Sequence, residues 1–426
     1  MCQGCNRKVF SNELRSMRGE WVTIAELKKS LPADAVYVDI FRLAVPDAAS
    51  AETGSPHYVA WLVPPASKRT IRVVDLGPAD QIDQMVGQLQ REMGEALKEI
   101  KEIGEREAAL EWRRAAKPLA EAFFGPMQDE LKDAKELIVS PDGALWLVSL
   151  DSLPLNDDRY AAEDFCIRYV LSGRDLLRTA SSAKTSGNAV VFANPDFDSV
   201  DAKASNELSA NRGRAAGANK IPRFSRLAAT ESEATAIFDN LAIYSKTTPR
   251  LVLDREATEE AVKTIQRPTA LVLCTHGFFL PDQQVPKRDA FENVILPTDI
   301  QSLRDADGNR LENPLLRCGV ALAGCNRRDE LGPTTDDGLL TGLEVLGLDL
   351  TGTQLVVLSA CETGVGEPRI GEGVASLRHA FLLAGAECVV STLWSVESLE
   401  TARFGNLFFK TLAEGESRSQ ALHSAK

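Results

Sequence analysis

No run of about 20 consecutive apolar residues, the length a helix needs to cross a bilayer, occurs anywhere in the 426-residue chain. The opening MCQGCNRKVFSNELRSMRGEW also lacks the apolar centre of a secretory leader. A cytoplasmic protein without a membrane partner is expected. Cysteine is sparse: six of the eight (Cys166, Cys274, Cys318, Cys325, Cys361, Cys388) are scattered through apolar segments, without the dense spacing of a disulfide framework. Reduced thiols follow. Cys2 and Cys5 form a CxxC, but neither a second CxxC nor an HxxxH accompanies it. A four-ligand zinc site is therefore not expected, and no other cofactor is called for. Positive charge is short as well, 48 Lys and Arg against 61 Asp and Glu. The net charge of −13 repels nucleic-acid phosphates, so direct nucleic-acid binding is not expected, and a basic partner is favoured if anything.

Several signatures of chemistry are missing too. There is no GxxxxGK[ST] to cradle nucleotide phosphates and no GxSxG of a serine hydrolase. A phosphatase loop needs five residues between Cys and Arg, whereas seven separate Cys361 from Arg369. No internal period of about 20–50 residues marks a solenoid.

What is present reads as a globular α/β protein. Hydrophobic residues make up 44% and charged residues 26%, enough for a packed interior, and the length calls for two cores. AVYVDIFRLAV (35–45), HYVAWLVP (57–64) and TIRVVDLG (70–77) read as strands. From Ile82 the apolar residues Met85, Val86, Leu89, Met93, Leu97 and Ile100 recur at helical spacing. ELIVSPDGALWLVSL (136–150) has two apolar runs around Pro141-Asp142-Gly143 and predicts a hairpin. Residues 196–225 are poor in large apolar side chains and predict a mobile surface loop. Beyond it, strand and helix patterns alternate: ALVLCTHG, then GLLTGLEVLGL as helix, QLVVLSACETG, GVASLRHAFLLAGA as helix, ECVVSTLW and SLETARFGNLFFKTLAE as helix. Such alternation predicts a mostly parallel sheet with helices on both faces.

In such sheets reactive groups collect where strands end at their carboxyl edge. LVLCTHG delivers His276 there, and LVVLSACETG delivers Cys361. A free thiol is only a few per cent ionised near neutrality, so a nucleophilic cysteine needs an imidazole beside it. The amides of Gly277 and Cys361 are candidate donors to an oxyanion, on the order of 10²–10³ in rate per donor. Against this, a cysteine ending an apolar strand is more often a buried inert thiol. His57, which opens a strand, His379 inside a helix and the distal His423 compete poorly as bases.

Four segments carry a family resemblance: THG (275–277), DGLLTGLEVLGLDL (337–350), LVVLSACETGVGE (355–367) and GEGVASLRHAFLLAGAECVVSTLW (371–394). Together they resemble the CHAT domain, a branch of the caspase and separase cysteine peptidases. The resemblance implies a caspase-like α/β fold, a His276–Cys361 dyad and hydrolysis of a protein substrate without metal or cofactor. It implies an organisation of extension (1–34), degenerate caspase-like companion half (35–187) and catalytic half (188–426). It further implies regulated bacterial proteolysis, of the kind found in immune and cell-death modules, with an activating or regulatory protein as partner.

The chain departs from the family in having Glu397-Ser398 where an acidic pair is common, in lacking the helix that usually follows ALHSAK, and in the absence of preceding tetratricopeptide repeats. The second departure is read as the mark of a fragment or shortened form. Asp336, Asp337, Glu362, Glu367 and Glu372 cluster around the expected cleft and would select Arg or Lys before the scissile bond. The competing reading of each is a solvated rim, and Asp337 is expected to cap a DGLL helix. The rival to an enzyme is a catalytically idle scaffold that keeps the fold for protein interaction.

Overall fold

The computed structural model describes residues 22–44, 54–67, 70–177, 187–199, 221, 223–279, 313–330, 336–359, 367–369, 373–375, 377–393 and 398–426. The chain enters through α1 (Ile24–Ser30), whose Thr23 and Glu26 satisfy each other's backbone amides in a capping box. Strands β1 (Ala35–Ala44), β2 (Pro56–Val63) and β3 (Arg72–Pro78) follow, then helices α2 (Ala79–Ile103) and α3 (Glu105–Phe124), then β4 (Glu136–Ser140) and β5 (Cys166–Tyr169). These strands form one sheet in the order β3-β2-β1-β4-β5, antiparallel from β3 to β1 and parallel from β1 to β5. Alternation along β1 sorts its side chains. Val36, Val38 and Ile40 join Ile82, Val86 and Leu89 of α2 and Leu119 and Phe123 of α3, while Tyr37 turns to Leu27 of α1.

The expected helix is there, and Ile82, Val86 and Leu89 of its apolar stripe are buried. Ile100 and Ile103 are exposed. Gly104, at φ +86°, then breaks the helix and lets α3 fold back against α2.

The expected hairpin at 136–150 does not form. β4 is held between β1 and β5, and the residues after it, Gly143–Leu147, make a 3-10 turn. Gly143 does adopt positive φ, +55°. Asp142, however, takes Gly143 N–H (2.8 Å) and Arg42 N–H (2.9 Å), which stops the chain from returning as a strand. The apolar run Leu145–Leu150 fills the core instead of pairing.

The second half is built on β6 (Val190–Pro195), α4 (Ala229–Ser245), β7 (Arg250–Asp254), α5 (Glu259–Lys263) and β8 (Ala270–Cys274). Then come β9 (Gly277–Phe279), β10 (Cys318–Ala321), β11 (Leu339–Thr341), α6 (Gly342–Val345) and β12 (Leu355–Ser359). It finishes with β13 (Glu367–Arg369), β14 (Gly373–Ala375), α7 (Leu377–Leu383), β15 (Val389–Ser391), α8 (Ser398–Ala413) and α9 (Arg418–Ala425). Five strands form an all-parallel sheet in the order β15-β12-β8-β6-β7. Its two faces sort by parity. Phe192, Leu271, Leu273, Val356 and Leu358 face α7 and its neighbours, whereas Val191, Val272 and Leu355 face α4, α8 and α9. This is a caspase-like α/β arrangement, with a three-stranded antiparallel sheet β11-β10-β9 at the carboxyl edge of β8.

Two local expectations change. DGLLTGLEVLGL is a short strand, β11, followed by the one-turn α6, because Leu339 and Leu340 pair with β10. Thr341, not Asp337, caps that helix. The supposed surface loop at 196–225 has buried ends: Phe197, Ile221 and Phe224 pack with Phe278, Ala321 and Leu339. Residues 200–220 and 222 lie outside the described residues.

A cavity of about 1230 Å³ lies where both β5 and β15, terminal strands of their sheets, contribute walls, together with Phe404 and Phe408 of α8. Contacts across the two halves include α9 on β5, Lys426 Nζ on Asp151 (2.7 Å), and Arg378, which donates to Trp146 O (3.3 Å) and lies over the Trp146 ring. Phe192 is fully buried on β6. Phe192→Ala should cost about 3–5 kcal/mol in urea unfolding, whereas Val73→Ala, on an exposed side chain, should stay within about 0.5 kcal/mol.

Candidate active site

The site is set by two neighbouring strands whose runs, ALVLC and LVVLS, are apolar because both faces of the sheet are covered. Their register is fixed from Ala270↔Leu355 to Cys274↔Ser359. One more ladder bond, Thr275 N–H to Ser359 O at 3.2 Å, carries the pairing past the end of β8. Thr275, buried, donates its hydroxyl to Ala321 O at 2.6 Å and ties this corner to β10. His276 O then accepts from Ala321 N–H at 2.8 Å, and Gly277 opens β9 opposite Val320. His276 therefore stands at the seam of two sheets, with its backbone held on both sides.

The imidazole is oriented as firmly as the backbone. Its Nε2 lies 2.8 Å from Ser225 O. A carbonyl can only accept, so Nε2 carries a proton and donates it to Ser225 O. Phe197 and Phe224 pack against the ring with centroids 5.5 and 5.3 Å away.

Ser225 is itself pinned on both flanks. On one side Asn326, buried, accepts from Phe224 N–H (2.8 Å) and donates to Phe224 O (2.8 Å) and Asp198 (3.1 Å). That donor and acceptor pattern fixes the amide orientation. On the other side Arg226 donates to Asn194 Oδ1 (3.0 Å) and pairs with Asp254. None of Ser225, Asn326, Phe197 and Phe224 was expected from the sequence. The available signal was Phe197 and Phe224, the two aromatic residues of an otherwise polar stretch.

Cys361, Glu362 and Glu372 lie outside the described residues, and so does the side chain of Glu367, whose backbone belongs to β13. Asp336 is exposed and bonds Lys263 Nζ (2.9 Å), which also bonds Glu259 (2.5 Å) and Glu344 (2.9 Å). Burial, with Glu344 nearby, pushes the Glu259 carboxyl up, so one lysine is shared among three acids. Asp337 accepts from Leu339 N–H at 3.0 Å and shapes the turn into β11. Of the other histidines, His57 bonds Asp75 at 2.9 Å on the outer part of the first sheet, and His379 lines the cavity.

Five cysteines are described, all as free thiols. Burial pushes Cys318 and Cys325 up to about 12, Cys274 well above the usual thiol range, and Cys166 and Cys388 upward as well. Cys274, Cys318 and Cys325 are buried, packed thiols, whereas Cys166 and Cys388 are half-buried. Among the described residues no group of three or more His, Cys, Asp or Glu is placed to hold a metal ion, and no helix is long and apolar enough to cross a membrane.

An all-parallel five-stranded sheet flanked by helices is the arrangement of the caspase-like class of α/β proteins. The sequence profile of the CHAT domain matches residues 113–426, most of the chain. The chain belongs to the CHAT domain family, in the caspase-like cysteine peptidase clan. It is also similar to human tetratricopeptide repeat protein 28, 37% identical over 93 residues, and to the mouse protein of that name, 36% identical over 93 residues. Each match covers 22% of this chain and 4% of the relative.

The thiol environments are directly checkable. In native protein at pH 8, an aromatic disulfide reagent should leave Cys274, Cys318 and Cys325 unmodified for as long as the fold persists. All three should react once it is unfolded, with mass mapping of the modified peptides as the readout. Fast native labelling of Cys318 or Cys325 would contradict their burial.

Proposed function

We propose that the chain is a cysteine endopeptidase in which Cys361 attacks the peptide carbonyl and His276 takes its proton. The observation that carries this reading is the alignment of the two strand ends. His276 follows Cys274 by two residues, Cys361 follows Ser359 by two, and Cys274 and Ser359 are partners on adjacent parallel strands. Family membership supports it.

The chemistry follows from the imidazole. With Nε2–H committed to Ser225 O, Nδ1 is the acceptor for the thiol proton, and the charge that develops on the ring is stabilised through Nε2–H by the carbonyl dipole. The thiolate attacks the carbonyl carbon, and the amides of Cys361 and Gly277 receive the oxyanion. The imidazolium then returns its proton to the leaving amine, and water hydrolyses the thioester with the same histidine as base.

Cys361→Ala and His276→Ala should each lower cleavage of a protein substrate by at least about 10³-fold while the thermal unfolding curve stays in place. Full activity in Cys361→Ala would refute the dyad. The tetratricopeptide name of the two relatives favours a second reading, an idle domain used for protein contacts. Iodoacetamide separates the two: an enzyme alkylates first at Cys361, whereas an idle domain shows no preference for it.

The reading extends to regulated proteolysis in a bacterial cytoplasm, where a partner licenses the enzyme to cut one protein. An acidic surface suits a basic partner. Selection of Arg or Lys before the scissile bond rests mainly on Glu362, Glu367 and Glu372, since Asp336 and Asp337 are engaged with Lys263 and the β11 turn. A positional peptide library, with unfolded casein as the unspecific reference, should show enrichment of Arg or Lys and slow casein turnover. An apolar optimum removes the acidic-pocket idea, and rapid casein digestion removes the gating.

A further inference from the structure

A buried acid lies directly behind the two strand ends. Glu233, on α4, is 6% exposed, and its Oε1 accepts from Ser359 Oγ at 2.6 Å. The Cys274 thiol, fully buried, lies against the same carboxyl group and against Ser359. Glu233 thus meets the side chains of two residues that are register partners, one on β8 and one on β12.

An acid at this position is costly. Burial raises the Glu233 pKa, offset only by hydrogen bonds from Ser359 and Cys274. The neighbours on α4 that point inward, Ala234, Ile237 and Leu241, pack as ordinary core residues, and a leucine would fill the space without the desolvation penalty. What a leucine cannot do is hold two strands through their side chains. Among the described residues the last backbone bond between β8 and β12 is Thr275 N–H to Ser359 O, one residue later. Glu233 therefore joins the two strands through their side chains at the last described rung of the ladder, two residues before His276 and two before Cys361.

We infer that Glu233 is a positioning residue for the peptidase reaction, holding together the ends of the adjacent strands β8 and β12, from which the chain runs on to His276 and to Cys361. It touches neither substrate nor reacting atoms and acts through Ser359 and Cys274. The inference rests on the peptidase reading of the preceding section. A small misplacement of a nucleophile from its base costs on the order of 10²-fold in rate, so the effect belongs in kcat rather than in substrate affinity.

The test uses the full chain with Glu233→Ala, Glu233→Gln, Ser359→Ala and the Glu233→Ala/Ser359→Ala pair, each checked for folding by circular dichroism. The readouts are kcat and KM on a cleaved peptide and the iodoacetamide rate at Cys361. Glu233→Ala and Ser359→Ala should each lower kcat and the alkylation rate by about 10–100-fold with KM within twofold. The double variant should be no worse than either single one, since both remove the same contact. Glu233→Gln, which keeps the acceptor oxygen, should recover most of the loss. Should Glu233→Ala fail to fold, Ser359→Ala and Glu233→Gln carry the same comparison.

A Cys361 that reacts fast in wild type and equally fast in folded Ser359→Ala and Glu233→Ala overturns this inference and leaves the peptidase standing. A wild-type Cys361 no more reactive than an exposed thiol overturns the peptidase reading and this inference with it. Additive losses in the double variant also count against a shared contact.

Discussion

The parallel pairing of β8 with β12 is the constraint on which the candidate site depends. Each ladder bond is worth only about 0.5–1.5 kcal/mol net, but register is not a graded quantity. A slip of one residue would send Leu271 and Leu273 to the face that holds Val272 and would expose the wrong set to α4 and α8. Burial on both faces therefore fixes the register far more firmly than the hydrogen bonds alone. The register of Cys274 with Ser359 follows from that packing, and Glu233 ties their side chains together at its end.

On this foundation the histidine is held by a second, more polar layer. The segment that offers Ser225 O crosses the strand ends between Asn326 on one side and Asn194 with Asp254 on the other. The aromatic rings of Phe197 and Phe224 exclude water from one part of the imidazole while its carbonyl partner sets the tautomer. Apolar parity places the strand, side-chain amides place the loop, and the loop fixes the ring.

The sequence made the central sheet readable because a strand covered on both faces must be apolar throughout, as ALVLC and LVVLS are. His276 was legible for the same reason: a polar residue two steps beyond such a run has to sit at the edge. The clamp around it was not legible, because Asn326 and Ser225 are 101 positions apart and neither is unusual in composition. The hairpin expected around Asp142 failed on a contact of equal reach. The carboxylate of Asp142 is taken by the backbone of Arg42, 100 residues earlier, and no turn rule contains that information. The DGLL segment was misread because two adjacent leucines suit a strand and a helix equally. The vacant N–H and C=O groups of β10 decided between them.

The bridges between the halves have a bearing on how the chain reaches this structure. Lys426 meets Asp151 and Arg378 meets Trp146, contacts that span 275 and 232 positions, and α9 settles on β5. The first sheet has its own core, made entirely from residues 36–167, and during synthesis it can condense while the remainder is still being made. Its edge strand β5 must then wait, without its α9 covering, until residues 418–426 have emerged. In that interval an open, half-covered strand is a template for pairing with other chains. Slow translation through the second half would therefore lengthen exposure of one identifiable edge.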